Sequence, residues 1–211
     1  MEKTELEDLK EIAIGKIKAA YNHSIDFEAT HSVLWDLVEN KRNLLLKINL
    51  ILSIILLISI YIPILYGSIL IIFIFNIISG FIVFSIIGIT FLGVFQAVYS
   101  KSHKDILHDT VLLRRQSTDF LQYKLDNLDK KGYINELKSL EVKDKNLKEK
   151  SIKYTEKMST KTITTITYKV DELEKEGFKK HVITQDAVDS ANAKLQKFSA
   201  LRTCEAWLKF N

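Results

Sequence analysis

Charged side chains are absent from one long stretch of this sequence. Between Ile48 and Ser100 there is no Lys, Arg, Asp, Glu or His, whereas charged residues recur every few positions elsewhere. A soluble core helix rarely stays uncharged beyond about 14 residues, and a bilayer span needs roughly 20 apolar residues. The stretch is too long for one span and has the length of two spans with a turn. We therefore predict an integral membrane protein rather than a soluble protein with a very apolar core.

Cysteine, proline and glycine are also scarce. The single cysteine, Cys204, cannot form an intramolecular disulfide, which fits a reducing compartment. No glycine or proline lies between Gly93 and Gly132, so a helix that begins in the second span can continue past the membrane without a built-in break.

Two segments of the uncharged stretch compete for the turn between the spans. Segment 63–68 combines Pro63, which disfavours helix before it, with the flexible pair Gly67-Ser68. Segment 76–80 offers only Asn76 and Ser79-Gly80, and we favour 63–68. The predicted transmembrane spans are then 46–66 and 72–98.

Aromatic and basic residues next to the spans predict their orientation. Tyr61 and Tyr66 fall at the outer headgroup level and Tyr99 at the inner level, where amphipathic rings are enriched. Basic residues lie just before the first span and just after the second span, whereas the turn between the spans is uncharged. The basic flanking residues are Lys41, Arg42, Lys47, Lys101, Lys104, Arg114 and Arg115. Since positive flanks stay on the cytoplasmic side, both termini are predicted to be cytoplasmic.

Small residues mark a candidate packing face on the second span. Ser85, Gly93 and Ala97 fall within one arc of the helix, and Gly93 and Ala97 form a small-xxx-small pair that permits close backbone approach. This helix-packing or pore-lining face has two interpretations of equal weight, contact with the first span or contact with another subunit. Neither span carries an ionisable residue, which argues against a proton-coupled or ion-coupled carrier.

The remaining sequence predicts helices, and the fold class is an all-α membrane protein with a cytoplasmic helical domain. Residues 1–45 predict amphipathic cytoplasmic helices, 46–98 the transmembrane hairpin and 99–211 the helical domain. Trp35 fits either the inner membrane interface or a contact with the cytoplasmic domain. Residues 160–184 have helical apolar spacing but many β-branched residues, so a helix is favoured and a small β-hairpin near 162–184 is the alternative.

Three helices are predicted after the second span. The first continues from the membrane, carries a coiled-coil-like seam and ends at Gly132-Tyr133. Its predicted seam consists of Leu107, Val111, Leu121, Leu125 and Leu128. A second helix follows, and its apolar stripe consists of Leu137, Leu140, Leu147 and Tyr154. The last helix covers about 185–210, with Thr184 as its N-cap.

No residue pattern in the chain indicates catalysis, a cofactor or a metal. His103 and His108 lie about 140° apart on a helix and cannot chelate one ion, and four ligands are usual in a structural metal site. The lysine-dense stretch 143–161 is interrupted by acidic residues such as Asp144, as expected of a solvated helix surface. Few aromatic residues accompany it, so we expect no direct binding of nucleic acid. We predict that the protein is not an enzyme.

The layout as a whole resembles the SLATT family of two-transmembrane effector domains. The resemblance rests on the amphipathic N-terminal segment with Trp35, the uncharged hairpin, and the following helix with His103 and Tyr123. It implies a bacterial inner-membrane protein of an antiphage, abortive-infection system, encoded near a nucleotidyltransferase or a reverse transcriptase. It further implies homo-oligomers that perforate the bilayer. The competing interpretation is a non-conducting membrane anchor or scaffold that recruits a cytoplasmic partner.

Overall fold

The computed structural model describes residues 2–67, 69–155, 158–195 and 198, and the described chain is helical with no strand. The helices are α1 (Glu2–Tyr66), α2 (Ile69–Asp119), α3 (Lys130–Thr155), α4 (Thr160–Lys175) and α5 (Gln185–Leu195). A short π-helical turn, Phe120–Lys124, follows α2. The predicted all-helical class is confirmed for the described residues, and two of the helices are long and apolar enough to cross a membrane.

The break between the two long helices lies at Gly67. Its φ of 63° is left-handed, a conformation that glycine adopts without strain, and its backbone N–H donates to the Pro63 carbonyl at 3.1 Å. Pro63 therefore lies within the last turn of α1 and does not itself end the helix. Of the two turn segments that the sequence offers, 63–68 contains the break, and 76–80 is helical.

The chain divides into two compact units. The polar unit consists of residues 1–33 and 105–211, and the apolar unit of residues 34–104. Helices α1 and α2 contribute residues to both units. The N-terminal segment thus belongs to the same unit as the helices that follow α2, a grouping that local sequence patterns do not contain.

The core of the polar unit gathers apolar side chains from α1, α2, α3 and α5. Most of its members are fully buried, and partly buried apolar residues, most of them Leu and Ile, pack against them. The buried residues are Leu9, Ile12, Ala13, Ile17, Ala19, Ala20, Ile106, Leu113, Phe120, Tyr133, Leu137, Leu140, Leu147, Val188, Ala191 and Phe198.

The buried face of α2 in this unit differs from the predicted seam. Val111 is exposed, whereas Thr110 and Ser117 are fully buried. Their hydroxyls donate to backbone carbonyls of their own helix, at 2.8 Å to Ile106 and 2.9 Å to Leu113, which removes the penalty for burying them. Leu121, Leu125 and Leu128 of the predicted seam do pack against the core, whereas Val111 does not. The prediction was wrong for the first part of this helix, where Ile106 and Leu113 form the buried apolar positions together with the two hydroxyl residues.

Helices α3 and α5 each begin with a side-chain cap. Helix α3 begins at Lys130, so the prediction that Gly132 ends a helix was wrong; the Asp129 carboxylate accepts the Gly132 N–H at 2.7 Å and caps the new helix. The predicted N-cap of α5 is confirmed, since Thr184 Oγ1 accepts the Ala187 N–H at 3.3 Å. Helix α5 ends at Leu195, and Phe198 of the predicted last helix is buried but carries no regular structure. The remainder of that predicted helix, with Cys204, lies outside the described residues.

Residues 160–184 form a helix followed by a loop. Helix α4 covers Thr160–Lys175, and the Ser159 hydroxyl accepts the Thr162 N–H at its start. Residues 178–184 carry no regular structure. The helical interpretation is therefore correct for 160–175, and the β-hairpin alternative is wrong.

Candidate membrane-contacting surface

Helices α1 and α2 pack along a narrow seam in the apolar unit. Their less exposed positions recur at alternating spacings of three and four residues, as in a coiled coil. These positions are 35, 38, 42, 45, 49, 52, 56 and 59 on α1 and 79, 82, 86, 89, 93, 96 and 100 on α2.

Hydrogen bonds along this seam connect the two helices in antiparallel order. The Ser59 and Ser79 hydroxyls lie 2.9 Å apart near Gly67, and the Asn49 amide donates to Thr90 Oγ1 at 3.0 Å farther along. At the far end, the Trp35 indole N–H donates to Ser100 Oγ at 3.0 Å. Trp35 therefore contacts α2 itself, so its ring is held by the seam.

Large apolar side chains cover the rest of the apolar unit. The most apolar window of α1 has only 6% of its residues buried, and that of α2 has none. Phe84 is 77% exposed and Phe81 72% exposed. Soluble monomers rarely expose a contiguous apolar patch above a few hundred Å². This surface has the chemistry of one that contacts lipid, because a bilayer removes the penalty for exposing it.

The three predicted aromatic anchors lie on this surface as far as the structure describes them. Tyr61 is 64% exposed and Tyr99 48% exposed, so both rings are placed at the outside of their helices. The side chain of Tyr66 lies outside the described residues. Tyr61 and Tyr99 lie toward opposite ends of the exposed apolar surface, and their positions at the outer and inner headgroups stay a prediction.

The predicted packing face of Ser85, Gly93 and Ala97 is divided in the structure. Gly93 and Ala97 line a cavity of about 260 Å³ between α1 and α2, together with Leu45 and Asn49. Ser85 is exposed, and its hydroxyl donates to the Phe81 carbonyl of its own helix at 2.9 Å. A Cβ atom added to Gly93 would meet no atom within 4 Å, so α1 does not approach its backbone closely, and the two interpretations of this face stay predictions.

A polar network closes the seam at the end opposite Gly67. The Ser100 hydroxyl donates to Glu39 at 3.1 Å, and Arg42 donates to the other oxygen of the same carboxylate. Arg42 Nε and Asn49 Oδ1 are buried with no hydrogen-bond partner among the described residues, and both residues line the 260 Å³ cavity. The lining of this cavity is therefore mainly apolar, with Arg42, Asn49 and Thr90 as its polar residues.

The polar unit buries a charged residue that the sequence assigns to a solvated surface. Asp144 is 1% exposed; its carboxylate lies 3.2 Å from His23 Nδ1 and 3.1 Å from the Lys148 ammonium. Two turns farther along, buried His31 Nε2 lies 2.9 Å from Ser151 Oγ. These two side-chain contacts connect α1 to α3. Sequence spacing cannot find them, because His23 lies more than a hundred residues from Asp144.

The loop between α4 and α5 is attached to α1. The Asn22 side chain forms two hydrogen bonds of 2.8 Å with the backbone of His181, one as donor and one as acceptor. The guanidinium of Arg114 lies 4.0 Å from the ring centre of Phe178 and also pairs with Glu28. Burial lowers the pKa of His181, and the nearby Lys18 lowers that pKa further.

The two histidines next to the second span differ in their exposure. His103 is buried, and this burial lowers the pKa of its imidazole, whereas His108 is exposed. Among residues 2–67, 69–155, 158–195 and 198, no group of three His, Cys, Asp or Glu side chains is placed to hold a metal ion. No protein family, curated protein or solved structure matches this chain.

Proposed function

We propose that this protein is a membrane effector of a bacterial antiphage system, which oligomerises and permeabilises the inner membrane when it is activated. The observation that carries the proposal is the exposed apolar surface of the apolar unit, in a chain whose polar unit has an ordinary buried core. The resemblance of the layout to SLATT effectors supplies the biological context. In this proposal α1 and α2 form a transmembrane hairpin, with the Gly67 turn outside and the polar unit in the cytoplasm.

Conduction requires several copies of the chain. Two helices cannot enclose a lumen by themselves, and α1 and α2 pack against each other along their seam. A pore would need walls contributed by neighbouring hairpins. A gene nearby that encodes a nucleotidyltransferase or a reverse transcriptase would supply the activating signal in this proposal.

A non-conducting anchor or scaffold is the second candidate, and one observation favours it. Between residues 48 and 99, the large exposed side chains of the apolar unit are mainly Ile, Leu, Val and Phe, which do not attract water into a lumen. An anchor needs only this lipid-compatible surface, with the polar unit as the docking module. The two functions differ in whether the membrane potential is lost on activation.

The decisive experiment compares two substitutions at Phe84, whose side chain is 77% exposed. Phe84→Asp should impair insertion by roughly 2.5–3.5 kcal/mol on translocon scales, whereas Phe84→Leu keeps an apolar side chain and is the matched control. Cells expressing the protein with its genomic neighbours are infected with phage, and propidium iodide entry and membrane potential are followed. Wild type and Phe84→Leu should depolarise, and Phe84→Asp should not.

Protection from phage with an intact membrane potential would contradict the pore and support the scaffold. Topology is tested separately in the Cys204→Ser background with Gly67→Cys. An impermeant thiol reagent added outside should label position 67, and in the native chain it should leave Cys204 unlabelled. The reverse pattern would contradict the proposed orientation.

A further inference from the structure

The cavity between α1 and α2 is a groove that opens to the outside of the apolar unit. Two of its lining residues, Leu46 and Val94, are 57% and 59% exposed. A Cβ atom added to Gly93, another lining residue, would meet no atom within 4 Å, so α1 leaves free space over the backbone there. In a bilayer, an open apolar groove of about 260 Å³ is in contact with lipid hydrocarbon.

Two lysines lie at the end of this groove away from the turn. On α2, the lining residues Val94 and Ala97 are followed by Lys101, at spacings of three and four residues. On α1, Lys41 precedes the lining residue Leu45 by four residues. Residues at these spacings share one side of a helix. Each lysine therefore lies one helical turn beyond the lining, on the side of its helix that forms the groove.

These lysines are the free positive charges of the groove. Arg42 also lines it, but its guanidinium pairs with Glu39. Lys41 and Lys101 are exposed, and neither forms an ion pair or a hydrogen bond with another residue in the part of the chain that the structure describes. Their ammonium groups are therefore available to an anion outside the chain.

The hairpin directs the two lysine side chains toward each other. Side chains lean toward the N-terminus of their own helix, and α1 and α2 run antiparallel. Lys41 therefore leans away from the Gly67 turn, whereas Lys101 leans back toward it. Trp35, which donates to Ser100, precedes Lys41 by six residues, so Lys101 lies farther from the turn than Lys41. The two side chains thus converge on one level of the hairpin.

We propose that this groove binds one anionic phospholipid of the inner leaflet, with an acyl chain against the apolar lining and the phosphate beside Lys41 and Lys101. The inference rests on the membrane insertion and orientation of the proposed function and does not depend on a pore. The predicted spans begin at residue 46 and end at residue 98, so both lysines fall just outside them, at the level of the headgroups. Basic pockets between transmembrane helices on the cytoplasmic side bind anionic headgroups.

Charge argues against a second copy of this chain as the occupant of the groove. Copies inserted with the same orientation bring their own Lys41 and Lys101 to the same depth, and like charges facing each other across an interface are unfavourable. An anionic phospholipid supplies the opposite charge together with the apolar chain that fits the lining.

The first test measures lipid binding to the purified full-length protein by native mass spectrometry, with phosphatidylglycerol and phosphatidylcholine of identical acyl chains. Wild type should bind one phosphatidylglycerol more tightly than phosphatidylcholine. Lys41→Gln and Lys101→Gln should each weaken phosphatidylglycerol binding about fivefold, the effect expected for one ammonium group beside an anionic lipid. Lys47 is also exposed but lies about 120° from Lys41 around α1, so Lys47→Gln is the matched control and should change binding by less than about twofold. Equal losses in the three variants, or no preference in wild type, overturn the site.

The second test fills the groove. Gly93→Leu places a branched side chain in the open space of the lining and should weaken phosphatidylglycerol binding at least about fivefold. Gly88→Leu is the matched control, because a Cβ there also meets no atom within 4 Å but Gly88 does not line the groove. Unchanged binding in Gly93→Leu overturns the placement of the acyl chain. If Gly93→Leu does not fold, as judged by circular dichroism, the exposed lysine variants still decide.

A third measurement tests a second copy as the occupant. Ala97→Cys in the Cys204→Ser background, reconstituted in phosphatidylglycerol vesicles, should form no dimer with a short bismaleimide. Dimers there assign the groove to a second copy and overturn the lipid site. Lipid selectivity in a protein that leaves the membrane potential of infected cells intact contradicts the pore and supports the lipid site, and depolarisation without lipid selectivity does the reverse.

Discussion

Alanine substitutions at two helical glycines of the polar unit should change stability in opposite directions. Helix propensity alone predicts that Gly15→Ala and Gly132→Ala each stabilise the fold by about 0.5–1 kcal/mol, because alanine loses less backbone entropy. The surroundings differ. A Cβ at Gly15 would lie 4.0 Å from the Ala191 Cβ, an ordinary van der Waals contact between α1 and α5.

A Cβ at Gly132 would meet a crowded helix start. It would lie 2.8 Å from Leu128 Cδ2 and 3.0 Å from Asp129 Oδ1. That oxygen cannot withdraw freely, since it accepts the Gly132 N–H and caps α3. Loss of an N-cap costs about 0.5–2 kcal/mol, which offsets or exceeds the propensity gain. We expect Gly15→Ala to be more stable than Gly132→Ala by about 1–2 kcal/mol.

Thermal unfolding of the detergent-solubilised full-length variants, followed by circular dichroism, measures this difference. For a chain of this size it corresponds to roughly 2–8 °C in Tm, with Gly15→Ala at or above wild type and Gly132→Ala below it. Equal shifts of both variants in the same direction would refute the reasoning from local contacts and leave helix propensity as the sufficient explanation. Hydrogen exchange at the start of α3 should also rise in Gly132→Ala alone, because its cap is the bond disturbed.

Two further predictions concern the polar unit. Asp144→Ala should lower the free energy of unfolding by about 1–3 kcal/mol in urea titrations, because His23 loses its buried acceptor. The side chain of Lys148 is more exposed, so Lys148→Ala should change that free energy by less than about 0.5 kcal/mol. Equal effects of the two variants would show that the buried carboxylate has no special role. The pKa of His181 is lowered in the folded state, so the folded protein resists protonation of this imidazole. The stability that neutral His181 contributes is therefore fully present above the unfolded pKa of about 6.5 and is lost as pH falls below it. Hydrogen exchange of residues 178–184, corrected for intrinsic rates, should therefore increase between pH 7.5 and 5.5 in wild type and not in His181→Gln; the same increase in both would assign the effect to another group.

Several features of this protein are fixed by local sequence. The uncharged run from Ile48 to Ser100 predicts two long apolar helices, because hydropathy depends on composition alone. Gly67 marks the helix break and Thr184 caps α5, since each acts on backbone groups within a few residues. The helical state of 160–175 also follows its apolar spacing, in spite of its many β-branched residues.

The tertiary structure decides which faces of these helices are buried. Thr110 is buried while Val111 is exposed, because the position of the neighbouring helices, together with a hydrogen bond to the helix backbone, outweighs side-chain hydropathy. Asp144 is buried because His23, distant in sequence, lies opposite it. Gly93 faces a cavity beside α1, and Asn76 faces outward, although both belong to the same uncharged helix. Periodicity identifies a helix, but the choice among its faces depends on partners that come from elsewhere in the chain.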